Sequence, residues 1–406
     1  MLLVLALLII IIFTPSGFAE APALEWSYTF DSHISPLSNV SSGFLYIGSG
    51  DGYVYAVQTA YGRPSWKYDA CVGIMSTPVY QDGTIYFGAG DGQFYAVETE
   101  WGTQKWKFKA GAGMDSSPIV YKDMVIFVSD SKAYALDMKN GTEIWNRSMG
   151  KELAAWLTEY DNTLYVATSD GNVTALDPYY GGILWQARVG DRAYAPLAYN
   201  GNIYVGTSDG NITAIDNGSG VRLWAYKAGG AVNAKPAGAG GIIYAGSQDG
   251  CLYALDAKNG GLMWAYKTGG PIIGSPIVDR GIVYVGSGDG SLYALDALTG
   301  YPGWAFSAGS PVSSTPVIGD GRIYFYTSGG NMSGNRLYSL FLPDKFNAVA
   351  PSPTLEPSPD VIDTITSVPT SLPTAHPATP WCPIPGFMVA FFVGAGIYQT
   401  MQGRMQ

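Results

Sequence analysis

The sequence predicts an all-β fold, an eight-bladed β-propeller of four-stranded antiparallel blades, and three observations support this prediction. Tryptophan recurs at intervals of 39 or 40 residues, which indicates a repeat architecture. An Asp-Gly pair keeps the same interval between short apolar runs, as tight hairpin turns do. These runs lack polar alternation, so both faces of each sheet should be covered. The periodic tryptophans are Trp26, Trp66, Trp106, Trp145, Trp185, Trp224, Trp264 and Trp304.

The unit at residues 275–307 illustrates the predicted strands. We expect strands at 275–278, 282–287, 291–296 and 304–307. Asp289-Gly290 turns between the second and third strands, and Thr299-Gly300 turns between the third and fourth. Radially packed blades cover both faces of such sheets, whereas a solenoid is the alternative architecture. Lysines on the fourth strand should keep this outer edge solvated and block edge-to-edge pairing, at Lys67, Lys107, Lys227 and Lys267.

The two ends of the repeat array predict how the ring closes. Residues 26–30 resemble a fourth strand without a blade before it, and residues 336–341 resemble a third strand without a tryptophan after it. The N-terminal strand is therefore expected to complete the last blade. We predict that residues 24–343 form the propeller domain and that it is monomeric.

The composition argues against several classes of partner. The net charge is -10, and the 22 basic residues are scattered through the units. Neither a nucleic-acid footprint nor a basic membrane-binding face is therefore expected. The three cysteines give neither a metal-binding spacing nor a disulfide framework, and we expect them to be free thiols.

The N-terminus favours export. Residues 2–13 are apolar and precede small residues ending at Ala19, which is typical of a secretory signal at residues 1–19. An uncleaved anchor is the alternative. Asn-x-Ser/Thr triplets independently suggest an extracellular glycoprotein. The candidate N-glycosylation sites are Asn39, Asn140, Asn146, Asn172, Asn211, Asn217 and Asn331.

The C-terminal region predicts a tether. Residues 349–385 are rich in Pro, Ser and Thr, which favours a disordered stalk. Residues 386–406 contain an apolar run and Arg404, and together with Pro385-Gly386-Phe387 they resemble the Pro-Gly-Phe sorting signals of archaeal surface proteins. The resemblance implies anchoring outside the cell, and a plain C-terminal membrane anchor leads to the same location.

The repeat motif itself resembles a known family. Ala294-Leu295-Asp296, followed by Thr299-Gly300 and Trp304, resembles the tryptophan-docking motif of pyrroloquinoline-quinone (PQQ)-type propeller repeats. The resemblance implies that each tryptophan packs against the next blade's motif and locks the ring. The implied locking residues are Trp66, Trp106, Trp145, Trp185, Trp224, Trp264 and Trp304. Gln58 and Glu98 replace the motif Asp in units one and two, and unit eight lacks the motif after Tyr338.

The resemblance also raises the question of catalysis. Quinoproteins of this family bind PQQ over a metal, usually calcium, with Glu and Asn ligands, an Asp base and a vicinal disulfide. This chain has no adjacent cysteines and no long insertions, and His33 and His376 cannot pair. We therefore predict no catalytic residues, no metal and no cofactor, with PQQ and calcium as the alternative. The repeated Asp residues are expected to serve the turns.

Candidate binding residues lie where the repeat is broken. The residues before each first strand are usually small and neutral, but four consecutive units depart from this pattern. By propeller geometry, the departing side chains should gather near the axial mouth. We predict that a small polar or anionic ligand is held there by Arg192 and Lys235 over Trp156 or Tyr194. The candidate residues are Asp115, Trp156, Arg192, Tyr194, Asn233 and Lys235, with Glu152 and Asp191 beside them.

Three functions follow from the sequence. The first is a non-catalytic, cell-surface propeller that acts as a rigid binding or scaffold module for protein or glycan partners. The second is a PQQ-dependent dehydrogenase, and the third is an envelope-assembly scaffold. Because fold does not determine function, we favour the first from the predicted signal, stalk and tail.

Overall fold

The computed structural model describes residues 21–342 apart from residues 112, 115, 130, 150–152 and 330–334. The predicted signal at 1–19, the stalk at 349–385 and the tail at 386–406 lie outside the described residues. All secondary structure within the described part is β-strand. Accordingly, these residues contain no apolar helix of membrane-spanning length.

The strands are named in chain order and grouped by blade. Blade 1 contains β2 (Phe44–Gly48), β3 (Tyr53–Gln58) and β4 (Pro64–Asp69). Blade 2 contains β5 (Val79–Gln81), β6 (Thr84–Gly88), β7 (Gln93–Glu98) and β8 (Gln104–Lys109). Blade 3 contains β9 (Ile119–Tyr121), β10 (Met124–Ser129), β11 (Lys132–Asp137) and β12 (Glu143–Ser148). Blade 4 contains β13 (Leu153–Tyr160), β14 (Thr163–Thr168), β15 (Asn172–Leu176) and β16 (Ile183–Arg188).

The second half repeats this arrangement. Blade 5 contains β17 (Leu197–Tyr199), β18 (Asn202–Gly206), β19 (Asn211–Asp216) and β20 (Arg222–Lys227). Blade 6 contains β21 (Ala237–Ala239), β22 (Ile242–Gly246), β23 (Cys251–Asp256) and β24 (Leu262–Lys267). Blade 7 contains β25 (Ile277–Asp279), β26 (Ile282–Gly286), β27 (Ser291–Asp296) and β28 (Pro302–Ser307). Blade 8 combines β1 (Leu24–Thr29) with β29 (Val317–Gly319), β30 (Arg322–Thr327) and β31 (Arg336–Phe341).

The sheets confirm the predicted eight-bladed β-propeller. Blades 2 to 8 are antiparallel sheets of four strands. In blade 1, residues 34–41 take the place of the innermost strand and bond to β2 through isolated bridges and hydrogen bonds, such as Ser35 N to Gly48 O at 2.8 Å. The chain order in blade 8 is β1-β31-β30-β29, so the N-terminal strand closes the ring as expected.

Two strand boundaries in blade 7 differ from those expected. β25 begins at Ile277 rather than 275, because the amide of Ser275 donates to Oγ1 of Thr315 in the next blade. β28 begins at Pro302, two residues before the tryptophan, because a β-bulge at Gly303 lets Leu295 pair with Pro302.

The hydrophobic core is a series of layers between blades. One layer joins Phe94 of blade 2 to Phe127 of blade 3, whose stacked rings have centroids 4.0 Å apart. Cys251 is buried in the layer between blades 5 and 6 and is disulfide-bonded, so the expectation of a free thiol was wrong there. Cys71 is exposed and free.

Indole rings connect each blade to the next. The ring of Trp224 lies over Gly260, in the turn between the third and fourth strands of the following blade, where a Cβ would be 2.6 Å from Cε3. Nε1 of the same indole donates to the carbonyl of Ala257 in that turn. Equivalent bonds measure 2.8–3.1 Å. They join Trp26 to Thr59, Trp66 to Thr99, Trp106 to Met138, Trp145 to Pro178, Trp185 to Asn217, Trp224 to Ala257 and Trp264 to Ala297. We call the seven turns that run from each acceptor residue to the glycine under the indole ring the docking turns, namely residues 59–62, 99–102, 138–141, 178–181, 217–220, 257–260 and 297–300.

Trp304 differs from the other seven periodic tryptophans. It is buried against blade 8, among Phe325, Tyr338 and Leu340. Its Nε1 has no hydrogen-bond partner among the described residues. The seam between blades 7 and 8 therefore depends on apolar contact without the indole hydrogen bond found elsewhere.

An ion pair reinforces the closing blade. Glu25 on β1 accepts hydrogen bonds from Nε and Nη2 of Arg322 on β30, across the intervening β31. Ser339 Oγ on β31 donates to the same carboxylate at 3.2 Å. The hydrogen bonds and charge of Arg322 hold the pKa of Glu25 below its ordinary value of 4.5.

The glycine–indole contact can be tested with a matched pair of substitutions. Gly260 and Gly281 both have positive φ, 73° and 80°, but a Cβ on Gly281 would meet nothing within 4 Å. Gly281→Ala should cost about 1 kcal/mol of unfolding free energy from backbone strain. Gly260→Ala should cost about 1–3 kcal/mol more, because its methyl group overlaps the Trp224 ring. Equal losses in chemical denaturation would show that the contact adds nothing to stability.

The ring-closing ion pair predicts a specific response to pH. Because the pKa of Glu25 is lowered by folding, the unfolded chain binds the proton more readily, and the stabilisation is lost as the pH falls below 4.5. Near neutral pH, Glu25→Gln should lower the free energy of unfolding by about 1 kcal/mol. This difference should shrink in acid. Glu100→Gln is the control on an exposed carboxylate. A Glu25→Gln deficit that does not change with pH would contradict the assignment.

Candidate functional site

The first strands of the blades surround the propeller axis. β5 contacts β9, β17 contacts β21, and β21 contacts β25, each from the neighbouring blade. The residues preceding these strands are called here the axial segments. They comprise the described residues within 33–38, 73–78, 113–118, 192–196, 231–236, 271–276 and 311–316, and in blade 4 residues 153–157 at the start of β13. Exposure alternates along them: Ile272 is buried, whereas the next residue, Ile273, is 47% exposed.

Lys235 is a half-buried cation in the axial segment of blade 6. Its Nζ lies 3.4 Å from Oγ1 of Thr158 on β13, two blades away. Oγ1 of Thr158 in turn donates to the carbonyl of Pro196, in the blade between these two, at 2.6 Å. No described carboxylate forms an ion pair with Lys235. Burial lowers the pKa of the Lys235 ammonium, because desolvation disfavours the charged form.

Two other predicted residues are related to this contact: Asn233 is close to Lys235 in the chain, and Trp156 is on the same strand as Thr158. Asn233, two residues earlier in the same axial segment, has a buried Oδ1 without a hydrogen-bond partner among the described residues. Trp156 precedes Thr158 by two residues on β13, and its side chain is 36% exposed. An unsatisfied buried oxygen is costly, so a ligand that donates to it would be favoured.

Arg192 and Tyr194 form a separate pair. The guanidinium carbon of Arg192 lies 5.8 Å from the centroid of the Tyr194 ring, and Arg192 is exposed. The carbonyl of Arg192 accepts the amide of Ser208 at 3.0 Å, which holds this segment beside the Asp-Gly turn of blade 5. No described ion pair involves Arg192.

The structure thus describes five of the six predicted ligand residues, in two groups. In one group, Lys235 contacts Thr158, which lies two residues after Trp156 on β13. In the other, Arg192 contacts the ring of Tyr194. No described contact joins these two groups, and Asp115 lies outside the described residues, as does Glu152. Sequence reasoning missed Thr158, because its role depends on the pairing of blades 4 and 6 across Pro196.

The remaining histidine candidate and the repeated aspartates have structural partners. His33 is exposed at the rim, with Nδ1 3.3 Å from Nδ2 of Asn335. Asp289 accepts the amide of Ser291 at 2.9 Å and the hydroxyl of Tyr293 at 2.7 Å. Asp249 repeats this arrangement. The hydrogen bonds explain why these aspartates recur: they hold the turn and the following strand.

The basic residues of the fourth strands also have a structural role that the sequence did not indicate. Lys109 Nζ donates to the carbonyl of Asp91 at 2.5 Å, and Arg188 donates to that of Asp170 at 2.8 Å. Lys227 and Lys267 make the equivalent bonds. These side chains therefore bind the Asp-Gly turn of their own blade, in addition to solvating the edge.

A second surface, opposite the Asp-Gly turns, carries exposed aromatic rings. The docking turns of blades 1, 2 and 4 contain them. The exposed fractions are 71% for Tyr61, 74% for Trp101, 42% for Tyr179 and 79% for Tyr180. Tyrosine and tryptophan are enriched in interfaces, where their large rings contribute most of the binding energy. In the sequence, an aromatic residue directly precedes the docking glycine in these three blades, at Tyr61, Trp101 and Tyr180.

The candidate glycosylation sites differ in exposure. Asn39, Asn140 and Asn146 are exposed, whereas Asn172, Asn211 and Asn217 are half-buried. Asn331 lies outside the described residues. Glycosylation of these sites remains a prediction.

Metal ligands were not expected at this site. Within the described ranges, no three His, Cys, Asp or Glu side chains lie close enough together to hold a metal ion.

Comparison with solved structures shows the fold. BamB from Moraxella catarrhalis is 18% identical, with 79% of this chain and 100% of that chain covered at a TM-score of 0.66. The computationally designed Ika8 protein is 18% identical, with coverage of 77% and 98% and a TM-score of 0.67. A europium-containing methanol dehydrogenase is 15% identical, with coverage of 79% and 93% and a TM-score of 0.66. These likenesses concern the fold alone.

The sequence has no match among curated proteins. A family profile, in contrast, matches residues 23–156, 129–277 and 227–339, and so covers the repeats from blade 1 to blade 8. The chain therefore belongs to the PQQ-like repeat family described as outer membrane protein assembly factor BamB.

Proposed function

We propose that this protein is a non-catalytic, cell-surface propeller that serves as a rigid binding or scaffold module for a protein or glycan partner. The observation that carries the proposal is the set of exposed aromatic rings on the docking turns, Tyr61, Trp101, Tyr179 and Tyr180. They project from turns whose backbone is fixed by the neighbouring blade. Binding there would cost little conformational entropy, because the segments are already ordered.

The rigidity of these turns follows from their contacts. In blade 2, Gly102 lies against the Trp66 ring and the carbonyl of Thr99 accepts the indole N–H at 2.8 Å. The Glu98 carboxylate accepts the amides of Glu100 and Trp101, at 2.6 and 3.2 Å. Trp101 is thus presented to solvent from a turn held on two sides.

The proposed location rests on segments outside the described residues. The predicted signal at 1–19, stalk at 349–385 and tail at 386–406 would leave the propeller outside the cell and tethered to the membrane. An acidic chain with a net charge of -10 suits a solvated surface protein.

An envelope-assembly scaffold is the second candidate, favoured by the family match. It would use the same rigid faces but bind membrane machinery. Co-purification with a membrane complex would support this role, and isolation of the protein alone from gently solubilised membranes would argue against it.

The quinone alternative has less support from the described axial residues. They place the ammonium of Lys235 beside Thr158 and offer the amide oxygen of Asn233, but the described axial segments contain no carboxylate, which a calcium-bound quinone needs as a ligand. We derive no catalytic step from such a centre. Dye-linked alcohol or aldose oxidation after reconstitution with PQQ and calcium would overturn the non-catalytic proposal.

The aromatic face can be tested with isolated cell envelopes. The purified protein should sediment with them, and Trp101→Ser with Tyr180→Ser should reduce the bound fraction about tenfold, because two exposed anchors are lost. Leu223→Ser, at an exposed site on the outer strand of blade 5, is the control. Prior periodate treatment of the envelopes would remove a glycan partner, and protease treatment would remove a protein partner. Binding that is unaffected by the double substitution would contradict the proposal.

The axial residues predict a separate ligand. We expect a small monoanion to bind beside Lys235, since the ammonium lacks a described counter-ion. Acetate and lactate are suitable probes for calorimetry. Lys235→Met should abolish binding, and Lys227→Met on the outer edge should not change it. Equal affinity in the Lys235→Met protein would show that this lysine is structural.

A further inference from the structure

A polar groove of about 470 Å³ opens between blades 2 and 3 on the face of the docking turns. This volume lies within the range of small-molecule and oligosaccharide sites. Nine side chains with hydrogen-bonding groups line it, and six of them are charged: Asp82, Lys105, Lys122, Asp123, Asp137 and Lys139.

The repeats themselves provide an internal comparison. Equivalent grooves occur between blades 5 and 6 and between blades 6 and 7. By strand register, Gly241 and Gly281 occupy the position of Asp123 in these grooves. Leu298 occupies the position of Lys139 in the groove between blades 6 and 7. Asp123 therefore has no charged counterpart in these two grooves, whereas Lys258 repeats Lys139, and Asp256 and Asp296 repeat Asp137.

The charged groups in the groove do not neutralise one another directly. Within the described part of the chain, none of the three lysines forms an ion pair with a carboxylate. Lys105 Nζ instead donates to the Thr84 hydroxyl at 3.0 Å. The ammonium and carboxylate groups remain available to a ligand as donors and acceptors.

Lys122 links the groove to an aromatic cluster. Its φ of 53° is that of the first turn residue in the equivalent hairpins, such as Asp82 at 47° and Arg280 at 48°. The Nζ lies 4.4 Å from the centroid of the Tyr179 ring and 5.2 Å from that of Tyr121. Because Tyr121 is in blade 3 and Tyr179 in blade 4, the lysine connects two adjacent blades.

Blade 4 contributes a second departure from the repeat at this point. Asn162 has a φ of 57°, where the hairpins of blades 2 and 5 to 8 have glycine. Its Oδ1 accepts the hydroxyl of Tyr121 at 2.9 Å. Tyr180, whose ring centroid is 6.3 Å from that of Tyr179, is 79% exposed. An exposed ring thus lies at the end of a fixed polar and aromatic array.

We infer that this array, from the groove between blades 2 and 3 to Tyr180, binds a segment of an uncharged glycan chain. Sugar hydroxyls both donate and accept hydrogen bonds, which suits adjacent lysines and aspartates. The apolar face of a sugar ring can stack on exposed tyrosine. Lys105, Lys122 and Lys139 are balanced by Asp82, Asp123 and Asp137, so the groove favours a neutral chain over a polyanion. This inference rests on the proposed binding function and specifies its ligand and face.

Calorimetric titration of the purified full-length protein with chitohexaose, mannohexaose and cellohexaose tests the inference, with hexagalacturonate as the acidic comparator. At least one neutral hexasaccharide should bind. Lys122→Gly should weaken binding about tenfold while relieving the strained backbone, so the variant should fold. Tyr180→Ala should have a similar effect. Arg280→Ala, at the equivalent hairpin position of blade 7, and Tyr301→Ala are the controls.

Each outcome decides the inference. Absence of binding by all three neutral hexasaccharides at millimolar concentration would overturn it, as would unchanged affinity in both variants. Tighter binding of hexagalacturonate would show a polyanion site instead. If these titrations fail while sedimentation with envelopes is sensitive to protease and resistant to periodate, the glycan inference falls but the module function remains, with a protein partner.

Discussion

The contact between an indole ring and a glycine of the next blade is the constraint on which the rest of the ring depends. It requires a residue without a side chain, in the left-handed region, at a fixed distance from a tryptophan on the neighbouring fourth strand. The indole hydrogen bond fixes the turn that contains this glycine. One recurring contact thereby sets the spacing of the blades and holds the backbone of the docking turns in one geometry.

The recurrence of this contact distinguishes residues that build the ring from residues that are available for binding. The turn aspartates, the tryptophans and the docking glycines each satisfy a backbone or packing requirement in their own unit. A lysine on the axial wall has no such requirement. Lys235 occupies a repeat position that holds hydroxyl residues in other blades, Thr77 and Ser275 among them, and its burial is offset by no described charge.

The fold could be predicted because its determinants are local and periodic. The number of periodic tryptophans predicted the number of blades, and the unpaired strands at the two ends predicted how the ring closes. The boundary of β25 could not be predicted, because Ser275 bonds to a hydroxyl 40 residues away. The partner of Lys235 was missed for the same reason: Thr158 is 77 residues away and belongs to a different blade. The periodic pattern reveals each unit but not which side chains meet across the axis.

The contacts of Lys122 and the replacement of glycine by Asn162 distinguish the hairpins of blades 3 and 4. Asn162 stands where blades 2 and 5 to 8 have glycine, whereas Lys122 shares its positive φ with the equivalent residues of other blades, such as Arg280. Both residues contact Tyr121, by a ring or a hydroxyl contact. Backbone strain persists where surrounding contacts stabilise it, and such sites cluster where ligands bind. Stability alone would favour the glycine found in the neighbouring repeats. The departures in blades 3 and 4 therefore point to a requirement other than folding on this face of the ring.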